Sequence, residues 1–492
     1  MMLLGDILKA KGLATQQDID RAVQHQHDHG GRFGDAVVAI GILTQEQLND
    51  VLNESPRAPL KVEDTGLDAT FIMTHILKGM YLETLTLPGQ IADAIKLPTN
   101  IVNNVLKDAI ERKLIIASGS EGGSLTAMHH QLTEAGRKIA IEAVDQNQYF
   151  GPAPVTLASF RDRIQRQRIT NERISKADIA KSFADIVVPD DFVKRLGPGI
   201  NSGASILIYG PAGNGKTTVA EKVAAIFENV VFVPYCFEVD GTIIKVFDPA
   251  IHKPLSSSED GENGGGRVSL RRETFDRRWV PCSRPVVITG GELNLEMLDL
   301  KFNEIAKFYE APMHVKALNG TFIIDDFGRQ LVSPEDLLNR WIVPLQSRVD
   351  YLTLHSGKSF SVPFDELVIF STNLAPDDLM DPAFLRRIPY KLETVDPSKD
   401  VFATIFRAVA GKAGLELTDD MLEYVCQEIT ETAGKQLACY QPKFICDQVI
   451  NSCKYEDMEP AITREFVDDA LANLYVQKSS YQGLVAGRTE GE

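Results

Sequence analysis

The stretch SILIYGPAGNGKTT, running from Ser205 to Thr218, decides the fold class. Ser205–Tyr209 is an apolar β-run, and Thr218–Phe227 opens a helix. Between them Gly210, Pro211, Ala212, Gly213, Asn214, Gly215, Lys216, Thr217 and Thr218 follow the phosphate-loop pattern Gly-x-x-x-x-Gly-Lys-Thr. The glycines let backbone N–H groups curl around a β-phosphate, Lys216 reaches the β- and γ-phosphates, and the Thr217 hydroxyl is suited to Mg²⁺. The helix N-terminus behind the loop favours the same negative charge. An α/β fold that binds ATP with Mg²⁺ is the expectation.

Downstream runs narrow the class. Gly320–Asp326 is an apolar strand ending in two acids. Asp325 is expected in the Mg²⁺ shell and Asp326 beside the attacking water. A Glu is usual at the second place, and Asp326 is one methylene shorter. Val368–Asn373 is a further apolar strand, and Asn373 at its end is suited to positioning the water. Asp381–Arg387 carries two arginines. Arg387, with Arg386 as the alternative, is expected to stabilise γ-phosphate charge in a neighbouring subunit.

Phosphate loop, acidic strand, amide strand and arginine pair, in this order, resemble the AAA+ ATPase family over about 183–480. The resemblance implies a P-loop αβα sandwich with a parallel five-stranded sheet at 183–395 and a C-terminal helical lid at 396–480. It implies ATP hydrolysis and a homo-oligomeric ring, a hexamer. Lys443, in Gln441–Phe444, falls where such lids often carry a phosphate-sensing Arg. Ile186 and Val187 are candidates for an adenine pocket or for plain core.

Two features exceed a compact core of that kind. Asp325 follows Lys216 by 109 residues, and the excess, about 236–290, reads as a β-rich insertion holding a Ser/Gly-rich tract and the basic run RRETFDRR. Tyr351–Phe364 reads as a hairpin with Ser-Gly at its turn. Hairpins at this place in protein-unfolding and helicase members often line the ring's pore.

The N-terminal third is organised differently. Leu4–Val23 aligns with Phe33–Leu52 at an offset of 29, with Gly5/Gly34, Asp6/Asp35, Ala10/Ala39, Gly12/Gly41, Thr15/Thr44 and Gln16/Gln45 identical. Each copy predicts a short helix, a Gly stop, a Thr cap and a second helix, giving a small helical repeat domain over 1–58. The repeat resembles the MshEN-type N-terminal domain of type II secretion and type IV pilus ATPases, some of which bind cyclic di-GMP through motifs beginning Arg-Leu-Gly. Here the second copy has Arg32-Phe33-Gly34 and the first has Leu3-Leu4-Gly5. A leucine can neither stack on guanine as a cation nor fork to a phosphate. Weak or absent cyclic di-GMP binding and a protein-docking role are therefore expected.

Residues 67–146 predict three helices, a two-stranded wing around Gly119–Gly123 and a helix starting at LTEAGR. This resembles a winged-helix domain. DNA binding is disfavoured by charge: 61–150 holds eight Lys/Arg against eleven Asp/Glu, and the candidate recognition helix begins without basic residues. A linker is expected at 147–182, with net charge +4 over 161–181, and a flexible tail at 481–492.

The 492 residues carry a net charge of −17, a poor start for a general nucleic-acid binder. Six scattered cysteines exclude a disulfide framework, and none has CxxC spacing for zinc. No apolar run approaches the ~20 residues of a membrane helix, and MMLLGDILKAKG is charged too early for a signal peptide, so a cytoplasmic protein is expected. The reading that follows is a ring ATPase remodelling a protein partner selected by the N-terminal domains. The alternatives are a DNA-dependent regulator or helicase using the winged helix, and a secretion or pilus motor, whose usual acidic and His boxes are not found here.

Overall fold

The computed structural model describes residues 5, 8–9, 12–29, 33–44, 47, 55–118, 128–255, 275–379 and 381–475. Its centre is a sheet of five parallel strands: β1 (Ile206–Tyr209), β2 (Val286–Thr289), β3 (Thr321–Ile324), β4 (Leu367–Thr372) and β5 (Tyr390–Glu393). They lie in the order β5-β1-β4-β3-β2, so β4 is central, β1 lies between it and β5, and the chain crosses over between neighbours. The first four are short runs rich in apolar residues, as a sheet covered on both faces requires, while β5 at the edge is mixed, with Leu392 buried between Lys391 and Glu393. Alternate residues divide between two cores. Ile206, Ile208, Ile323 and Ile369 face Val219 and Val223 of the Lys216–Ala224 helix. Leu207, Phe322, Ile324, Val368 and Phe370 face Leu337, Leu338 and the fully buried Trp341 of the Pro334–Ser347 helix. The expected parallel five-stranded sheet is present.

One boundary needs correction. Val286–Thr289, read as the end of the 236–290 insertion, pairs in register with Thr321–Ile324 and is the edge strand of the central sheet. The rest of that insertion builds a separate body. Cys236–Val239 and Thr242–Lys245 form an antiparallel pair, extended by Phe308–Glu310 and Lys301–Asn303 on one side and by Val155–Thr156 on the other. Val231–Pro234 pairs with Trp279–Cys282. The Ser/Gly-rich tract lies outside the described residues.

Residues 147–182, read as a linker, are packed rather than bare. Val155, Phe160, Ile164 and Ile169 are buried, and the Phe160 and Phe237 rings stack with centroids 4.5 Å apart. Part of the positive charge is engaged within the chain. Arg161 Nη2 donates to Ser361 O at 2.7 Å, Arg163 lies over the Phe232 and Trp279 rings, and Arg166 pairs with Asp162.

The hairpin forms as read, Val349–Thr353 against Ser359–Pro363. Its apolar residues Leu352, Leu354, Phe360 and Val362 belong to the same buried cluster as Phe160 and Phe237. One hairpin face is thus occupied by the insertion body.

Before the central sheet, helices Ala69–Leu82, Pro88–Ile95 and Thr99–Glu111, the hairpin Ile115–Ser118 with His129–Leu132, and helix Glu134–Gln146 follow in the expected order. The Gly-rich turn at 119–127 lies outside the described residues. This unit is bolted to the next segment by buried Lys78, whose Nζ donates to Asn147 O (3.0 Å), Asn147 Oδ1 (2.8 Å) and Tyr149 O (3.1 Å).

The two repeat copies share their capping chemistry. Thr15 N–H donates to Asp18 Oδ2 while Asp18 N–H donates to Thr15 Oγ1. Thr44 N–H donates to Gln47 Oε1 while Gln47 N–H donates to Thr44 Oγ1. Gly12 and Gly41 both take positive φ, +66° and +73°, at matched helix stops.

After β5 the chain forms helices Lys399–Lys412, Asp419–Gln427, Gln441–Tyr455 and Arg464–Leu474 around one core containing Phe402, Phe406, Val425, Ile445 and Val449. Residues 476–492, including the predicted tail, lie outside the described residues. Among the described residues no helix is long and apolar enough to cross a membrane.

Candidate active site

The site gathers where β1, β3 and β4 end. A parallel sheet aligns its strand ends, so segments far apart in sequence meet on one rim. The loop after β1 is shaped by three glycines with positive φ: Gly210 (+136°), Gly213 (+81°) and Gly215 (+78°). Gly210 passes so close to the segment after β5 that a Cβ there would stand 2.1 Å from Thr394 O. Thr394 holds the loop's root, its N–H donating to Tyr209 O at 2.8 Å.

Lys216 is 7% exposed, and its Nζ donates to Gly210 O (3.0 Å) and Pro211 O (2.8 Å) at the loop's mouth. Burial pulls its ammonium below the ordinary lysine value, opposed by Asp325 and Asp326. Thr217 Oγ1 donates to Asp325 Oδ2 at 2.7 Å, which brings together the two residues expected to share Mg²⁺. Asp326 is exposed beside it, and Asn373 Nδ2 donates to Asp326 Oδ1 at 3.1 Å. Pro211, Ala212 and Thr218 are exposed at the loop, whereas Asn214 is buried and turned toward the lid.

The donor set fits a Mg-nucleotide. One hydroxyl and one carboxylate converge next to a glycine cradle, a lysine and a helix N-terminus. Mg²⁺ is commonly held by one or two protein groups plus phosphates and waters. Among the described residues no cluster of three or more His, Cys, Asp or Glu could hold a metal by itself.

Arg386 and Arg387 are not part of this rim. Ser205 Oγ donates to Arg387 O at 3.2 Å, so Arg387 sits where β1 begins, while the phosphate loop follows its other end. Four strand residues separate them, about 13 Å at 3.3 Å per residue. Arg386 is exposed, and Arg387 is half-buried with its guanidinium 5.4 Å from the Phe384 ring centre. Lys443 is exposed in the first turn of the Gln441–Tyr455 helix. Ile186 packs against the core and Val187 is 39% exposed.

Sequence reasoning missed the residues that hold the acidic turn. Asp326 has φ +48°, a left-handed conformation that costs a non-glycine residue. Gln330 Nε2 donates to Asp325 O at 3.0 Å while its Oε1 accepts from Gly328 N–H at 2.8 Å. Thr372 Oγ1 donates to Phe327 O at 2.6 Å. Gln330 carries no motif of its own: these partners lie within five residues, but a polar residue in a loop does not show which backbone groups it will meet until the turn after β3 has formed.

A domain of unknown function, DUF8689, matches residues 398–473, the lid alone. The chain matches no curated protein. Solved structures similar to it include NtrX from Brucella abortus, at 14% identity and TM-score 0.36 over 63% of this chain and 61% of that one. A RuvB variant from Thermotoga maritima is similar at 13% identity and TM-score 0.35, over 61% and 75%. Domain III of the Thermotoga maritima replication initiation protein DnaA is similar at 11% identity and TM-score 0.34, over 61% and 98%.

Proposed function

We propose that the chain is an ATP-hydrolysing AAA+ ATPase working as a homo-oligomeric ring, a hexamer, that remodels a protein partner chosen by its N-terminal domains. The observation that carries the ATPase reading is the 2.7 Å bond between Thr217 and Asp325, with Asn373 on Asp326 beside it. Thr217 and Asp325 would hold Mg²⁺, which supplies Lewis-acid stabilisation of phosphoryl oxygens when bound. Lys216 meets the remaining phosphate charge. Asp326 orients a water and takes its proton as the water oxygen bonds to the γ-phosphorus and the bond to the β-phosphate's oxygen breaks, leaving ADP and phosphate. Asn373 fixes one Asp326 oxygen and leaves the other for the water.

The ring reading rests on the separation of Arg387 from its own phosphate loop. A guanidinium at the start of β1 can serve a γ-phosphate only in a neighbouring copy. The protein-partner reading rests on the N-terminal units and on charge. Of the basic run before Trp279, Arg277 pairs with Asp93, and Arg278 is buried against Asp276. Those two cations are engaged internally, which weakens the case for nucleic acid.

Steady-state hydrolysis and nucleotide binding by the full chain test the proposal. Lys216→Ala should abolish binding. Asp326→Asn should bind ATP and lose turnover by about 10²-fold or more, the usual scale for a proton acceptor. Normal turnover in Asp326→Asn would refute its assignment, and absence of ATP binding by the unmodified chain would refute the ATPase reading.

A further inference from the structure

One side chain of the phosphate loop is hydrogen-bonded to the lid at two points. Asn214, between Gly213 and Gly215, is 7% exposed. Its Nδ2 donates to Asp396 Oδ1 at 2.7 Å, and its Oδ1 accepts from Cys439 N–H at 3.1 Å. Asp396 lies in the passage from β5 to the first lid helix, and Cys439 lies just before the Gln441–Tyr455 helix. Two lid-side points 43 residues apart therefore converge on one amide. Next to it Tyr440 N–H donates to Gly213 O at 3.0 Å, and the Tyr440 ring lies so close that a Cβ at Gly213 would stand 2.3 Å from it.

The chemistry selects an amide. A carboxylate at 396 needs a donor, and the Cys439 N–H needs an acceptor, so the bridging group must offer both. Asp at 214 would keep the acceptor and set a like charge against Asp396. Ala would remove both bonds.

We propose that Asn214 is a positioning residue that makes lid docking and phosphate-loop shape a single equilibrium. The proposal rests on the ATPase reading for its ligand, but the latch itself is a property of the nucleotide-free chain. The backbone on either side of Asn214 is the part of the loop expected to line the phosphates. Lifting the lid pulls on that backbone, and phosphate that holds the loop in shape holds the lid down. By linkage, the factor by which nucleotide favours the docked lid equals the factor by which docking favours nucleotide.

Amide hydrogen exchange and ATPase kinetics on the full chain test this. In nucleotide-free protein, Asn214→Ala should speed exchange over residues 437–441 about tenfold, the scale of two lost hydrogen bonds, and leave the Trp341 helix unchanged. Mg-ATP should slow exchange over 437–441 in the unmodified chain and lose most of that effect in Asn214→Ala. Turnover should fall about tenfold while KM for ATP shifts less. Asn214→Asp should be at least as damaged, and Asn214→Asp with Asp396→Asn should recover, because the carboxylate then accepts from both Cys439 N–H and the amide at 396. Unchanged nucleotide-free exchange in Asn214→Ala, or no recovery in the double variant, would overturn the latch. A chain that binds no ATP would instead overturn the ATPase reading and, with it, the coupling to nucleotide.

Discussion

Asn373 donates from Nδ2 to Asp326 Oδ1 across 3.1 Å, joining the end of β4 to the turn after β3. Asp326 is held in a left-handed conformation by that turn, with φ +48°, so its carboxylate depends on supports outside its own strand. Removing the amide should free the carboxylate without disturbing the phosphate loop. Asn373→Ala should lower kcat about 10- to 100-fold and move KM for ATP less than about threefold, as expected for a group that acts on the transition state rather than on binding. Steady-state kinetics check this, and a rise in KM with kcat unchanged would contradict it.

Arg387 supplies a test that crosses subunits. Its carbonyl is anchored at Ser205, away from the phosphate loop of the same chain. Arg387→Ala should bind ATP and turn over about 10³-fold more slowly, the lower range for a missing arginine finger. Mixing it with Lys216→Ala should restore part of the activity, because some interfaces then combine an intact loop with an intact arginine. Full activity in a chain that sediments as a monomer would refute the arrangement.

Glu366 gives a pH signature. It is fully buried, and neither side-chain oxygen has a hydrogen-bond partner among the described residues. Burial first, then neighbouring Asp365, raise its carboxyl well above the ordinary range; Arg348 opposes them and Asp350 adds to the rise. The folded chain therefore keeps a proton that the unfolded chain loses above the ordinary glutamate value of about 4.3. Its contribution is complete below that value and declines as pH rises toward the folded-state value, by about 1.4 kcal/mol per pH unit. Glu366→Met, of similar shape, should gain stability over the unmodified chain increasingly from pH 5 to 8. Chemical denaturation at several pH values measures the difference, and a difference independent of pH would contradict the assignment.

The N-terminal repeat separates docking from second-messenger sensing. Arg32 lies outside the described residues, and the first copy has leucine at the matching place. Loss of one stacked, charge-assisted contact costs about 1.5–3 kcal/mol, roughly 10- to 150-fold in affinity. Calorimetric titration of the full chain should show weak or no cyclic di-GMP binding. Submicromolar binding that disappears in Arg32→Ala would reverse this.

Lys216, Thr217, Asp325, Asp326 and Asn373 were legible because each ends an apolar strand or follows a glycine loop, and strand ends in a parallel sheet share one rim. The matched caps at Thr15 and Thr44 were legible because a cap is completed within three residues.

What the sequence by itself determined was therefore local: which runs become strands, which loop cradles phosphate, where helices start and stop. Only the tertiary structure decided that Val286–Thr289 is the edge strand of the central sheet rather than the end of an insertion, since an apolar run does not name its neighbour. It likewise decided that the 349–363 hairpin packs against Phe160 and Phe237, that Thr372 holds the Phe327 carbonyl of the acidic turn, and that Asn214 faces the lid. Each depends on groups dozens to hundreds of residues apart, whose hydrogen bonds and packing exist only once the sheet has aligned their strands.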